Sequence, residues 1–132
     1  RKRQYPELHK LGTDLAVPDA HLRDMWRIYK DGLENAGLQW AAFGHIGNNH
    51  VHVNILPRDM HELEKGLELY RHFAQKAVAY GGAVSAEHGI GKMKIEFLNM
   101  MFNPQEINEM RALKQAIDPD NLLNPGNIFA DS

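Results

Sequence analysis

Three patterns predict an α+β fold: a strictly alternating run from His50 to Leu56, two amphipathic stretches that each end at glycine, and short apolar runs between them. Thr13-Asp14-Leu15-Ala16-Val17-Pro18 alternates polar and apolar residues and stops at a proline, which predicts a short first strand. Asp19 then caps a helix on which Leu22, Met25, Trp26, Tyr29 and Leu33 recur at helical spacing, with Gly37 at the C-terminal cap. The apolar run 38–44 predicts a second strand, and Gly47-Asn48-Asn49 supplies turn residues. His50–Leu56 is the third strand and ends at Pro57. Asp59 and Glu62 have capping-box spacing and open a second long helix. Its stripe is Leu63, Leu67, Tyr70, Phe73, Ala74, Ala77 and Val78, and Gly81-Gly82 closes it. Ala83-Val84-Ser85-Ala86 predicts a fourth strand.

This βαββαβ order is the ferredoxin-like one: an antiparallel sheet with two helices packed on one face and the other face bare. A further helix is expected near 93–101. Another, opened by Asn103-Pro104, carries Ile107, Met110, Leu113 and Ile117. A closing loop, 118–126, is dense in Pro, Asn and Asp. With no repeat, low-complexity tract or linker, residues 1–132 read as a single domain. Arg1-Lys2-Arg3-Gln4 reads as the interior of a longer protein.

Composition narrows the function classes. Apolar residues make up 43% of the 132, as a globular core requires. Fifteen basic against 17 acidic residues leave a net charge of −2, too weak a field for a dedicated nucleic-acid or anionic-membrane binder. The absence of Cys excludes disulfides, thiolate metal sites and a cysteine nucleophile. No apolar run approaches the ~18 residues of a membrane span. The expectation is a soluble, cytoplasmic domain whose membrane association, if any, runs through a partner. Eight histidines are a heavy load for this length; full protonation would take the charge from −2 to +6.

Strand parity places three of those histidines. His50, His52 and Asn54 point to one face of the third strand, while Val51, Val53 and Ile55 point to the other. The valine face suits a helix-covered core, so the imidazoles and the amide belong to the bare face. His45, across the turn, can reach the same face. Single histidines on strands are ordinarily packing or surface residues, but three within eight residues suit a divalent metal. The second constellation is Ser85-Ala86-Glu87-His88-Gly89-Ile90-Gly91. Its adjacent carboxylate and imidazole can serve as one metal ligand and one acid–base group. Taken alone, it reads as an ordinary turn with a chance Glu-His pair. His9, His21, His61 and His72 are scattered at polar positions, Met100 and Met101 suit core filling, and Lys92 and Lys94 suit solvent. No serine sits in a nucleophile elbow.

These segments together resemble one family. Gly44-His45-Ile46-Gly47-Asn48-Asn49-His50-Val51-His52-Val53-Asn54 resembles the GH-x-GDGN-x-H-x-N motif of the FAD-linked oxidase C-terminal domain, and Ser85–Gly91 its S-x-EHG-x-G motif. Leu122-Leu123-Asn124-Pro125-Gly126-Asn127-Ile128-Phe129 resembles its closing LLNPGKIF signature, and Thr13–Pro18 its opening strand. The family includes D-lactate dehydrogenases, glycolate oxidase subunits and D-2-hydroxyglutarate dehydrogenases.

The resemblance implies a two-domain flavoenzyme in which an N-terminal domain, absent from this chain, holds FAD. This chain would be part of the C-terminal cap that supplies substrate-binding groups. It would be inactive alone, with the FAD domain of the same parent chain as its partner and a homodimer as a candidate assembly. By position, His45, His52 and Glu87 match the family's ligands for a divalent metal, Zn or Mn. That metal would hold the hydroxyl and carboxylate of a small 2-hydroxy acid. Asn54 matches a substrate-contacting amide, His88 the general base, and Asn124 the asparagine near the flavin.

His50 falls where the family usually carries Asn and is left out of the ligand set. Asn48-Asn49-His50 replaces the usual Asp-Gly-Asn, and Asn127 the usual Lys. The hydroxyglutarate branch has a lysine two residues before the first strand's Asp. Here that position is Gly12, and Lys10 is the nearby candidate for a substrate carboxylate. This favours a monocarboxylic acid of the lactate or glycolate type. The competing readings are a freestanding ferredoxin-like module that binds a metal or small ligand for regulation, and a hydrolase built on His45, His52 and Glu87.

Overall fold

A computed structural model of the chain describes residues 10–45, 50–84, 95–126 and 128–129. They fall into two compact units, Arg1–Glu87 and His88–Ser132. The first contains strands β1 (Leu11–Gly12), β2 (Trp40–His45) and β3 (His50–Ile55) and helices α1 (Leu22–Asn35) and α2 (Met60–Ala79). The second contains α3 (Ile95–Met101) and α4 (Pro104–Ile117). The fold is α+β, as the periodicity predicts.

The three strands form an antiparallel sheet in the order β1-β3-β2. The predicted first strand, 13–18, begins earlier and breaks early. Leu11 pairs with Ile55 and Gly12 with Asn54, and the same register reappears where Ala16 bridges His50. Between them, Thr13 N–H donates to the Val53 carbonyl at 2.9 Å, but Val53 N–H donates to the Thr13 hydroxyl at 3.0 Å instead of to its carbonyl. That side-chain substitution interrupts the regular ladder. The predicted fourth strand is seen at Ala83, which exchanges both backbone hydrogen bonds with Ala16, at 2.9 and 3.0 Å. Residues 85–86 of that strand, and the turn at 47–49, lie outside the described residues. The side-by-side order, Ala83–first strand–β3–β2, is the one a βαββαβ chain takes with both helices on one face.

The core lies on the helix-covered face. Leu11, Leu15, Val17, Val53 and Ile55 are buried beneath Met25, Tyr29 and Leu33 of α1 and Leu63, Tyr70, Phe73, Ala74 and Ala77 of α2. Tyr29 meets Phe73 edge to face at 4.8 Å, a favoured aromatic geometry that ties the two helices. Asp59 caps α2 by accepting from Glu62 N–H at 2.8 Å, while the Glu62 carboxylate turns back to Arg58 N–H rather than to Asp59. Asp19 does not cap α1. It opens a 3₁₀ turn, Asp19–His21, that leads into the helix. Trp26 and Leu67, expected in the apolar stripes, sit at the stripe edges and are exposed.

In the second unit, Asn103 and Glu106 form a reciprocal capping box at 2.9 and 2.8 Å, with Pro104 in the first turn of α4. Ile107 is buried, whereas Leu113 and Ile117 of the same stripe are exposed.

Gly82 is one position where the fold leaves no room for a side chain. A Cβ there would stand 2.0 Å from the Ala16 carbonyl oxygen and 2.9 Å from that of Ala77, both main-chain atoms. Gly82→Ala should therefore force the Ala16–Ala83 bridge apart and destabilise the first unit by ~3 kcal/mol. Urea denaturation should show a lower midpoint with unchanged slope, while Leu113→Ala at an exposed position stays within ~0.5 kcal/mol of the parent.

Candidate functional site

On the sheet face opposite the core, register sets the neighbours. Gly12 lies opposite Asn54 and Ala16 opposite His50, which places Asp14 between them beside His52. From β2, Ala41, Phe43 and His45 stand opposite Asn54, His52 and His50. Asp14 Oδ1 and His50 Nε2 are 3.1 Å apart, and the His50 and His52 ring centroids are 4.1 Å apart. His52 Nδ1 lies 3.2 Å from the Thr13 carbonyl. That oxygen can only accept, so Nδ1 carries a hydrogen and donates to it. Phe43 stacks on the same ring at 5.1 Å.

The face expected to be bare is closed at this point. Asp14 is 1%, His50 2% and His52 6% exposed. Candidate ligand atoms of the three lie within 4.8 Å of one another. A carboxylate and two imidazoles form a donor set suited to a divalent cation. Two phenols lie against the same stretch of chain, Tyr29 against the Thr13 side chain and Tyr70 against the Asp14 main chain. Burial raises the pKa of both, so both stay neutral through the ordinary pH range.

The sequence-predicted residues separate into three groups. His52 is in the cluster. Asn54 is half-buried two residues along the same face, and its Oδ1 lies 3.1 Å from where a Cβ on Gly12 would be. A longer side chain at position 12 would press on that amide. Lys10 is exposed, just before β1, and Asn124 belongs to the second unit. For His45 the structure describes the backbone, paired with His50. Glu87 and His88 lie outside the described residues. Sequence reasoning missed Asp14 and set His50 aside. The signal was present: Asp14 is the one charged residue of its strand, on the face that parity assigns to the histidines.

Comparison with known proteins agrees with the motifs. Residues 4–128 match the family model described as FAD linked oxidases, C-terminal domain. This chain belongs to that family. It is 34% identical over 119 residues to the glycolate oxidase subunit GlcD of Bacillus subtilis, covering 89% of this chain and 25% of that protein. It is 35% identical over 115 residues to a D-lactate dehydrogenase of Archaeoglobus fulgidus, covering 87% of this chain and 26% of that protein. Over 129 residues it is 34% identical to a D-2-hydroxyglutarate dehydrogenase of Stutzerimonas stutzeri, covering 95% and 27%. The chain thus spans about a quarter of the length of the curated relatives it matches.

The closing signature of the FAD-linked oxidase domain is shaped by one carboxylate. Asp118 accepts from Leu122 N–H and Leu123 N–H, each at 2.9 Å, and from Lys114 Nζ at 3.0 Å. Lys114 also donates to Asn121 Oδ1 at 2.6 Å. Asn121 and Asn124 adopt left-handed backbone, φ 52° and 46°, which asparagine tolerates better than most residues. Asn124 borders an apolar cavity of about 370 Å³ between α4 and the closing segment. The Leu123 amide first, then the Lys114 ammonium and the Leu122 amide, hold the Asp118 pKa below its ordinary 3.8. A lowered carboxylate pKa stabilises the fold above the ordinary value and loses that contribution as pH falls through the lowered one. Hydrogen-exchange protection factors of Leu122 and Leu123 should therefore be constant at neutral pH and collapse below 3.8. Asp118→Asn should abolish them at pH 7 while α2 amides keep theirs.

Proposed function

We propose that this chain is the substrate-side cap of an FAD-dependent 2-hydroxy-acid dehydrogenase of the D-lactate or glycolate type. Its FAD domain lies elsewhere in the same parent chain. The family match across residues 4–128 carries this reading. The names of the relatives, which act on lactate, glycolate and hydroxyglutarate, support a 2-hydroxy acid as the substrate class. The absence of a longer side chain at Gly12, where Asn54 already fills the space, favours a substrate with one carboxylate.

His45, His52 and Glu87 would hold a divalent metal, Zn or Mn. The fit is supported at His52, a buried imidazole that stands beside a second buried imidazole and a buried carboxylate. A cation bound there supplies charge that lowers the pKa of a substrate hydroxyl. His88 then takes the hydroxyl proton on a ring nitrogen. The Asn54 amide donates to the substrate carboxylate, and Lys10 offers a second charge nearby. FAD, held by the parent protein's other domain, would supply the acceptor for a hydride from Cα. Asn124 approaches the flavin from the closing segment, whose Leu122, Leu123 and Ile128 expose apolar surface suited to a partner domain. Among the described residues no helix is long and apolar enough to cross a membrane. The reading carries with it a cytoplasmic parent protein, any membrane association running through a partner, and a homodimer as its candidate assembly.

The test uses the longer parent protein, made anaerobic, with its flavin absorbance followed as D- and L-2-hydroxy acids are added. One D-acid, lactate or glycolate, should bleach the band, and His88→Ala should slow bleaching by ~10²–10⁴-fold. Bound flavin that no 2-hydroxy acid bleaches would reject the substrate class. A parent protein without flavin would reject the flavoenzyme reading in favour of a metal- or small-ligand-binding module.

A further inference from the structure

The Asp14–His50 pair is surplus to the roles just assigned, yet it is the most deeply buried polar feature of the sheet. A carboxylate 1% exposed is held there only by a compensating positive charge or by strong donors. A single imidazole partner would suffice for that. The arrangement goes further, bringing a second imidazole to 4.1 Å from the first and holding its Nδ1 on the Thr13 carbonyl. Two rings converging on one carboxylate, with ligand atoms mutually within 4.8 Å, is more than an ion pair requires.

We propose that Asp14 and His50 are ligands of the cation that His52 holds. The 3.1 Å between Asp14 Oδ1 and His50 Nε2 is the separation of two neighbouring ligands on one metal. Metal–ligand bonds of ~2.1 Å place adjacent donors ~3.0 Å apart at octahedral angles and ~3.4 Å apart at tetrahedral ones. All three donors come from two paired strands in one register, so the first unit builds the cluster from its own sheet. The inference rests on the reading above only in requiring a cation at His52.

The experiment measures Zn²⁺ binding directly, by calorimetry on the 132-residue chain. His50→Asn, which restores the family's usual residue, and Asp14→Asn should each weaken binding at least ~10-fold, since removing even an outer-shell partner costs ~10–100-fold. Circular dichroism checks that each variant folds. The unaltered chain provides a measurement independent of that: the ¹⁵N signals of both the His50 and the His52 ring should shift on adding Zn²⁺. Binding unchanged within twofold in His50→Asn, or a His50 ring that does not respond, overturns the proposal. If His45→Ala and Glu87→Gln then abolish binding, the family's ligand set stands without Asp14 and His50. If the unaltered chain binds no Zn²⁺ or Mn²⁺, the metal reading fails together with the proposal.

Discussion

The site depends on one exchange of hydrogen-bond partners at Thr13. In a regular antiparallel pair, Val53 N–H would donate to the Thr13 carbonyl. The Thr13 hydroxyl takes that N–H instead, and the carbonyl is left to accept from His52 Nδ1. A β-branched residue with a short hydroxyl is what allows this; valine would fill the same space but offer no acceptor. The consequence reaches from backbone to chemistry. The ladder breaks between Gly12 and Ala16, the imidazole is tied through Nδ1 to the backbone, and Asp14 is carried in beside it.

The same strands serve two chemistries because alternation keeps them apart. Val53 and Ile55 are fully buried under α1 and α2, and the hydrophobic effect on that side holds the sheet flat against its helices. His50 and His52, one residue out of step, present donors on the opposite side. A cluster whose backbone is fixed by a packed core can hold its donors in place without a cation, as a preorganised site requires.

Much of this was legible in the sequence. Strict alternation at His50–Leu56 and the two glycine-terminated stripes gave the order of elements, and four motifs pointed to a family that the comparison then identified. Most of what escaped notice at the site shares one physical cause: it depends on partners far away in sequence. Asp14 reads as an ordinary polar residue in a short strand until the register sets it beside His52, thirty-eight residues on. The substitution of the Thr13 hydroxyl for its carbonyl cannot be seen in a pattern of apolar and polar letters. The burial of His50 and His52 also defeated the reading, because parity tells which face a side chain takes and not whether that face is covered. Local signals were missed as well. The Asn103–Glu106 capping box has the spacing used to find the start of α2, and it begins α4 in the same way.

The Asp118 clamp has a consequence for association. A segment that must meet another domain usually loses conformational freedom on meeting it, and that loss is subtracted from affinity. Here the turn carrying Asn124 is already held by two backbone bonds to a carboxylate on its own unit, with two asparagines set in left-handed backbone. The entropy of shaping the turn is lost at folding, before any partner arrives. Such a surface docks as a rigid template, so changes that loosen it would show as slower, weaker docking without altering a single residue that touches the partner.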